Sequence, residues 1–302
     1  MAWLLDRVVV GILPVLPKPL VGYFSRRYIA GTTIAEAFET VRALRSLGAM
    51  SSLDILGENI EREEEADRAE SGYRALLEAI AREKIDSGVS VKLTQLGLKL
   101  DVGGCQERID RLTARAAELG IFVRIDMEDS TVTSDTLRVF RSLRARHENV
   151  GVVIQSMLRR SLADVEQLAA EKANIRLCKG IYVEPHDVAY RDREIIRRSF
   201  VELLDVLFSG GSYVGIATHD ERLVFEALAL IRRHRLRRDQ YEFQMLLGVA
   251  EPLRRILIEA GHPLRVYVPF GEQWYAYSVR RLKENPQLAG TIARAALTRR
   301  KR

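Results

Sequence analysis

Short apolar runs, several rich in Val and Ile, recur along the chain, and each leads into a segment whose apolar residues fall at helical spacing. The runs occupy positions 50–56 (MSSLDIL), 89–93 (VSVKL), 121–127 (IFVRIDM), 150–156 (VGVVIQS), 175–180 (IRLCKG), 213–218 (YVGIAT), 241–246 (YEFQML) and 264–269 (LRVYVP). Between them lie amphipathic stretches such as QERIDRLTARAAEL (106–119) and SLADVEQLAAE (161–171). Such alternation predicts strands joined by crossover helices, which makes the sheet parallel. Eight strand–helix units complete a closed (βα)8 barrel of the α/β class without remainder. An open doubly wound sheet is the alternative, but no Gly-x-Gly-x-x-Gly follows the first run. The segment TIAEAFETVRALRSLG (33–48) is the clearest helix before the first strand. The expected organisation is therefore a single domain over 1–302: a helical extension (1–49), the barrel (50–285) and a basic tail (286–302).

Composition narrows the function classes. With 47% hydrophobic and 29% charged residues, the chain reads as an ordinary globular domain with a substantial core. The net charge of +6 owes much to RRHRLRR (232–238) and the terminal TRRKR, which suit a helix C-terminus and a solvated end. Aromatics are only 7% of residues, too few for the basic–aromatic interleaving of a nucleic-acid surface. The apolar stretch 1–21 is interrupted by Asp6, Arg7 and three prolines, so it suits an amphipathic helix on the domain or on a membrane surface rather than a span. Cys105 and Cys178 belong to no metal-ligand motif, and a reducing cytoplasm is the expected compartment. No zinc spacing, phosphate loop or nucleophile elbow is present, so no metal is expected.

In a barrel of this kind the chemistry lies at the C-terminal ends of the strands. Reading those ends in order gives Glu58, Lys92, Asp126, Gln155, Lys179, His219, Gln244 and Tyr267. Taken singly, His219 reads as a hydrogen-bonded structural histidine and Met127 as a gap-filler; the polar set as a whole reads as a ligand site. Lys92 and Asp126, on neighbouring strands, are expected to pair and to present an ammonium to a substrate carboxylate. The set holds positive charge, donors and an aromatic wall but no nucleophile, which points to a small anionic substrate and chemistry carried by a cofactor. In YAYSVRRLKEN (275–285), helical spacing puts Tyr277, Arg280 and Glu284 on one face, with Arg281 about a hundred degrees round. The pattern fits either a solvated face with an Arg280–Glu284 pair or a guanidinium pair that holds a carboxylate.

The motifs LDILGE, VSVKLTQLGL, VRIDMED, IRLCKGIY, ATHD, YEFQMLLG, RVYVPFG and YSVRRLKEN, in this order, resemble proline dehydrogenase, the flavin-dependent barrel family of proline catabolism. The resemblance implies a distorted barrel whose last helix lies over the mouth. It implies FAD as cofactor and oxidation of L-proline to Δ1-pyrroline-5-carboxylate, with hydride passing from C5 to flavin N5. Electrons would then go to a membrane quinone, from an enzyme that is cytoplasmic or peripheral on the inner face of the cell membrane. By motif, Arg280, Arg281 and Lys92 would hold the proline carboxylate, while Tyr267, Leu246, Tyr277 and Glu284 wall the ring. Asp126 would orient Lys92, and Glu58 would be the gate that pairs with the first arginine. FAD would meet Met127, Gln155, Arg176, Lys179, Gly180, Ile181, Thr218 and His219, with Tyr182 close by; Asp126 and Arg176 would be the catalytic pair. Ile181 stands where the family more often has a small residue, so a backbone contact is expected there. The chain leaves no room for the aldehyde dehydrogenase module of the fused members, so a stand-alone enzyme is expected. The competing readings are another flavin barrel using NAD(P)H, for which no nicotinamide motif is present, and a basic membrane- or nucleic-acid-associated module.

Overall fold

Side-chain alternation along the strands decides what fills the barrel. In the computed structural model, which describes residues 27–57, 60–275, 277 and 278, the strands are β1 (Met50–Ile55), β2 (Ser87–Val91), β3 (Val123–Ile125), β4 (Val150–Gln155), β5 (Ile175–Cys178), β6 (Val214–Ala217), β7 (Tyr241–Leu246) and β8 (Leu264–Phe270). All pair parallel in sequence order, and β8 closes onto β1 from Met50↔Arg265 to Ile55↔Phe270. The expected barrel is present, and the open sheet is excluded.

One parity of each strand is apolar and packs outward into the main core: Leu53, Val89 and Val91, Val123 and Ile125, Ile175 and Leu177, Val266 and Val268. The other parity is mostly polar or glycine, with Val153 and Ala217 among its apolar members. Ser52, Asp54, Ser90, Arg124, Arg176, Glu242 and Gln244 are all nearly inaccessible to solvent. They point into the barrel, because Arg176 on β5 bonds to Ser90 on β2 and Gln244 on β7, strands that are not its neighbours. Barrels of this type are usually filled by branched aliphatic layers; this one is filled by a hydrogen-bonded polar network. The observed strands are shorter than several apolar runs, notably at β3, which spans only Val123–Ile125.

Helices cover the outside: α1 (Ile34–Ser46), α2 (Glu63–Arg82), α3 (Val102–Glu118), α4 (Thr133–Arg144), α5 (Ser161–Ala170), α6 (Arg193–Ser209), α7 (Glu221–Arg233) and α8 (Glu251–Glu259). The first, α1, precedes β1, and its start is set by a capping box in which Thr33 and Glu36 satisfy each other's backbone donors. Its residues Ala37, Phe38, Val41 and Leu44 are buried, and it packs against β1 and β8. This helix is thus part of the barrel's wall. Among the described residues no helix is long and apolar enough to cross a membrane. The N-terminal apolar stretch, the basic tail and the helix expected over the mouth lie outside the described residues, apart from Trp274, Tyr275, Tyr277 and Ser278.

Candidate active site

At the C-terminal ends of the strands the inward parity opens into a cavity of about 620 Å³. Its floor is a charged cluster built from five strands. Lys92, just beyond β2, donates to Asp54 Oδ1 of β1 at 2.8 Å and to the Tyr267 hydroxyl of β8 at 3.3 Å. Asp126, just beyond β3, accepts from Arg176 Nη1 at 2.7 Å and from the Tyr267 hydroxyl at 2.9 Å. The Arg176 guanidinium also lies 5.3 Å from the centre of the Tyr267 ring, within cation–π range. Three residues distant in sequence, Lys92, Arg176 and Tyr267, therefore meet around the Asp126 carboxylate.

The expected Lys92–Asp126 pair is present at 3.8 Å, but the nearer carboxylate is Asp54. Sequence reading passed over Asp54 because it took the first strand end to be Glu58, several residues further on. The signal was there in the parity of β1, where Asp54 shares its face with Ser52. Burial works against the Lys92 ammonium, yet the Asp54 and Asp126 charges outweigh it and hold Lys92 above the ordinary lysine range. Lys92 is accordingly a fixed cation at neutral pH. Burial likewise pushes the Tyr267 hydroxyl well above its usual range, with Asp126 and Asp54 adding to the effect, so it acts as a donor.

Met127, Gln155, Lys179, Gly180, Ile181 and Tyr182 also line the cavity. So do Thr218, His219, Leu246 and Tyr277. His219 Nε2 accepts from the Leu246 backbone N–H at 2.8 Å, which places the proton of the neutral ring on Nδ1. The histidine is both structurally tied and part of the site. Gln155 Nε2 donates to the Glu128 carbonyl at 2.9 Å, and Lys179 Nζ pairs with Asp220 at 3.2 Å while remaining partly exposed. Gly180 has φ +100°, and a Cβ there would stand 2.5 Å from Met157 Sδ, so the turn after β5 requires glycine. Ile181 is half exposed at the mouth. Cys178 also lines the cavity, and burial raises its thiol to about 11, which removes it as a nucleophile at neutral pH.

Sequence reading also missed Tyr28, which lines the cavity from before α1 and packs with Leu56 and Tyr277. It gave no role to Ser90, which bonds to Arg176, or to Glu128, which accepts from the Thr94 backbone and hydroxyl; Gln244 stood in the strand-end set, but its bond to Arg176 was not foreseen. Glu58, Arg280, Arg281 and Glu284 lie outside the described residues.

The proline dehydrogenase family matches residues 37–294 of this chain. Proline dehydrogenase 1 of Bacillus subtilis subsp. natto is 34% identical over 273 residues, covering 90% of both chains. Proline dehydrogenase of Deinococcus radiodurans is 36% identical over 299 residues, covering 95% of this chain and 96% of its own. The chain belongs to the proline dehydrogenase family. The crystal structure of proline utilization A from Bdellovibrio bacteriovorus, inactivated by N-propargylglycine, aligns with a TM-score of 0.82 and 26% identity. It covers 87% of this chain, which spans about a third (33%) of that much longer protein. As a member of this family, the chain is an enzyme whose strand ends carry the cluster described above.

Proposed function

We propose that this enzyme oxidises L-proline to Δ1-pyrroline-5-carboxylate, the first step of proline catabolism, using FAD and passing the electrons to a membrane quinone from a cytoplasmic or membrane-peripheral position. The observation that carries the reading is the Lys92–Asp126–Arg176–Tyr267 cluster on the floor of a cavity of about 620 Å³, at the catalytic end of the barrel. A cavity of that size suits a small-molecule or cofactor site. The donor set fits FAD: Arg176 and Lys179 offer cations, Thr218 and His219 polar hydrogens, and Met127 and Tyr182 apolar surface. When bound, FAD supplies the hydride acceptor.

The remaining work falls to the chain. Lys92, held charged by its two carboxylates, presents an ammonium to the proline carboxylate. Arg280 and Arg281 complete that clamp in this reading, Glu284 joins the wall, and Glu58 gates it. Asp126 is occupied by Arg176 and Tyr267, so its part is to fix the directions of those two groups and to attract Lys92. Leu246, Tyr267 and Tyr277 form the wall against which a five-membered ring packs. Arg176 keeps a permanent positive charge beside the cavity, which favours the more negative state of whatever cofactor lies there. Enclosure by the buried floor removes water from around these charges and strengthens them.

A visible spectrum tests the reading directly. The purified full-length chain should be yellow, should bleach anaerobically on addition of L-proline, and should recover its colour with a quinone but not with NAD⁺. A colourless protein after FAD supplementation, or a yellow one that proline leaves unbleached, sinks it.

A further inference from the structure

Arg176 is gripped from beneath as well as from the site. Its Nε donates to Gln244 Oε1 at 2.5 Å, and Gln244 Nε2 donates to Glu242 Oε1 at 2.5 Å. Glu242 is anchored in turn by Arg265, at 2.7 and 3.0 Å, and by the Tyr213 hydroxyl at 2.9 Å. Arg176 belongs to β5 and Gln244 to β7, with β6 between them. The two side chains meet because β6 contributes Gly215, which is the register partner of Arg176 on one side and of Glu242 on the other. A Cβ at Gly215 would lie 2.4 Å from Gln244 Nε2. The missing side chain is the opening through which the contact passes.

The chemistry of this chain of bonds has one direction. A guanidinium only donates and a carboxylate only accepts, while an amide has one end of each kind. Gln244 satisfies both neighbours only with its oxygen toward Arg176 and its nitrogen toward Glu242. Burial disfavours the Glu242 carboxylate, but Arg265 outweighs it and holds the carboxyl below its ordinary range, so the acceptor is ionised at neutral pH. With Nη1 on Asp126 and Nη2 on the Ser90 hydroxyl, the bond to Gln244 ties the third guanidinium nitrogen. Among the described residues three of the five N–H donors are thus spent on the barrel, which leaves two toward the cavity that Arg176 lines.

We propose that Gln244 is a positioning residue for Arg176: Glu242 fixes its amide, Gly215 admits it, and together they hold the guanidinium at the angle from which it serves the reaction. The redox consequence rests on the FAD reading given above, whereas the positioning itself does not.

Gln244→Met is the test, because it keeps the length and bulk of the side chain but removes both bonds. If Gln244 merely fills the barrel, the full-length variant should retain its turnover and its cofactor potential. If it positions Arg176, three changes are expected. The variant's crystal structure should show Arg176 turned away from Asp126. The flavin midpoint potential should move downward, since the cation is no longer held beside the cofactor. Turnover should fall about tenfold while KM for proline stays within about twofold, because the substrate clamp is untouched. Gly215→Ala, which leaves Gln244 in place but crowds its amide, should change all three in the same direction by less, and it serves if Gln244→Met does not fold. Unaltered turnover, potential and Arg176 orientation in the variants overturn the proposal. A wild-type protein without flavin would instead defeat the FAD reading, and the Arg176 orientation in the variant crystals would still decide the positioning.

Discussion

Lys92 shows how a single side chain is kept charged where charge is costly. It is almost wholly buried, and so is Asp54, one of whose oxygens has no hydrogen-bond partner among the described residues. The pair is not an efficient source of stability, because both ions gave up hydration to form it. Its value is that it leaves an ammonium in place for an anionic substrate. Breaking such a pair from one side strands the other charge. Asp54→Ala should destabilise the protein toward the lower end of about 3–5 kcal/mol, since Asp126 still stands near the ammonium. Adding Lys92→Met should return a large part of the loss, because the stranded ion is then gone. Urea unfolding of the two single variants and the double variant measures this coupling. Additive effects would mean that Asp54 contributes through packing instead.

Between α2 and α3 the same chemistry recurs at the surface, where it carries less energy. Arg108 bonds to Glu63 and Asp67, Arg111 to Glu70, and Arg115 to Glu78, so three arginines at helical spacing face a matching row of acids. The row is a seam between neighbouring helices, readable in sequence as charge on each helix but not as a pairing. Its rungs are unequal. The Arg108 side chain is 9% exposed and also reaches the Leu96 carbonyl, whereas Arg111 is 51% exposed. Arg108→Met should therefore cost roughly 1.5–3 kcal/mol, as buried charged hydrogen bonds do. Arg111→Met should cost about 0.5 kcal/mol, an effect that added salt diminishes. Thermal melts of the two variants at low and high salt separate the cases; equal costs would show that burial does not set the strength of the seam.

For the whole molecule, the carboxylates set the acid limit. Backbone N–H groups of Thr32 and Thr33 hold Glu36 low, Arg115 holds Glu78 low, and Arg233 holds Asp205 low. At Asp220 and Glu242 burial pushes upward, but Arg197 with Lys179, and Arg265, outweigh it. A carboxyl whose folded value lies below its unfolded one binds its proton less readily in the native state. The stability it contributes is present above the unfolded value, about 4, and is lost as pH falls through the folded value. Burial moves Asp54 the other way, and it offsets part of this loss. Tm should therefore hold steady above about pH 5 and drop on acidification toward about pH 3. Scanning calorimetry across that range checks it, and a melting temperature indifferent to acid would show that these carboxylates are not held low.

Side-chain parity is local, and this explains how much was legible without coordinates. Period-two alternation in runs such as YEFQML and VSVKL assigns one set of residues to each face, and the count of runs closes the barrel. Polar residues at the strand ends mark the mouth for the same reason. Which inward residues then touch is not local. Lys92 meets Tyr267 across 175 positions of sequence only because β8 closes onto β1. Arg176 meets Gln244 only because the strand between them carries glycine at the one row where their side chains cross. Asp54 becomes the nearer partner of Lys92 because the two strands lie side by side at a register that turns both side chains inward. Alternation along the chain determines which groups enter the barrel; closure and register, which no single strand specifies, determine the pairs they form.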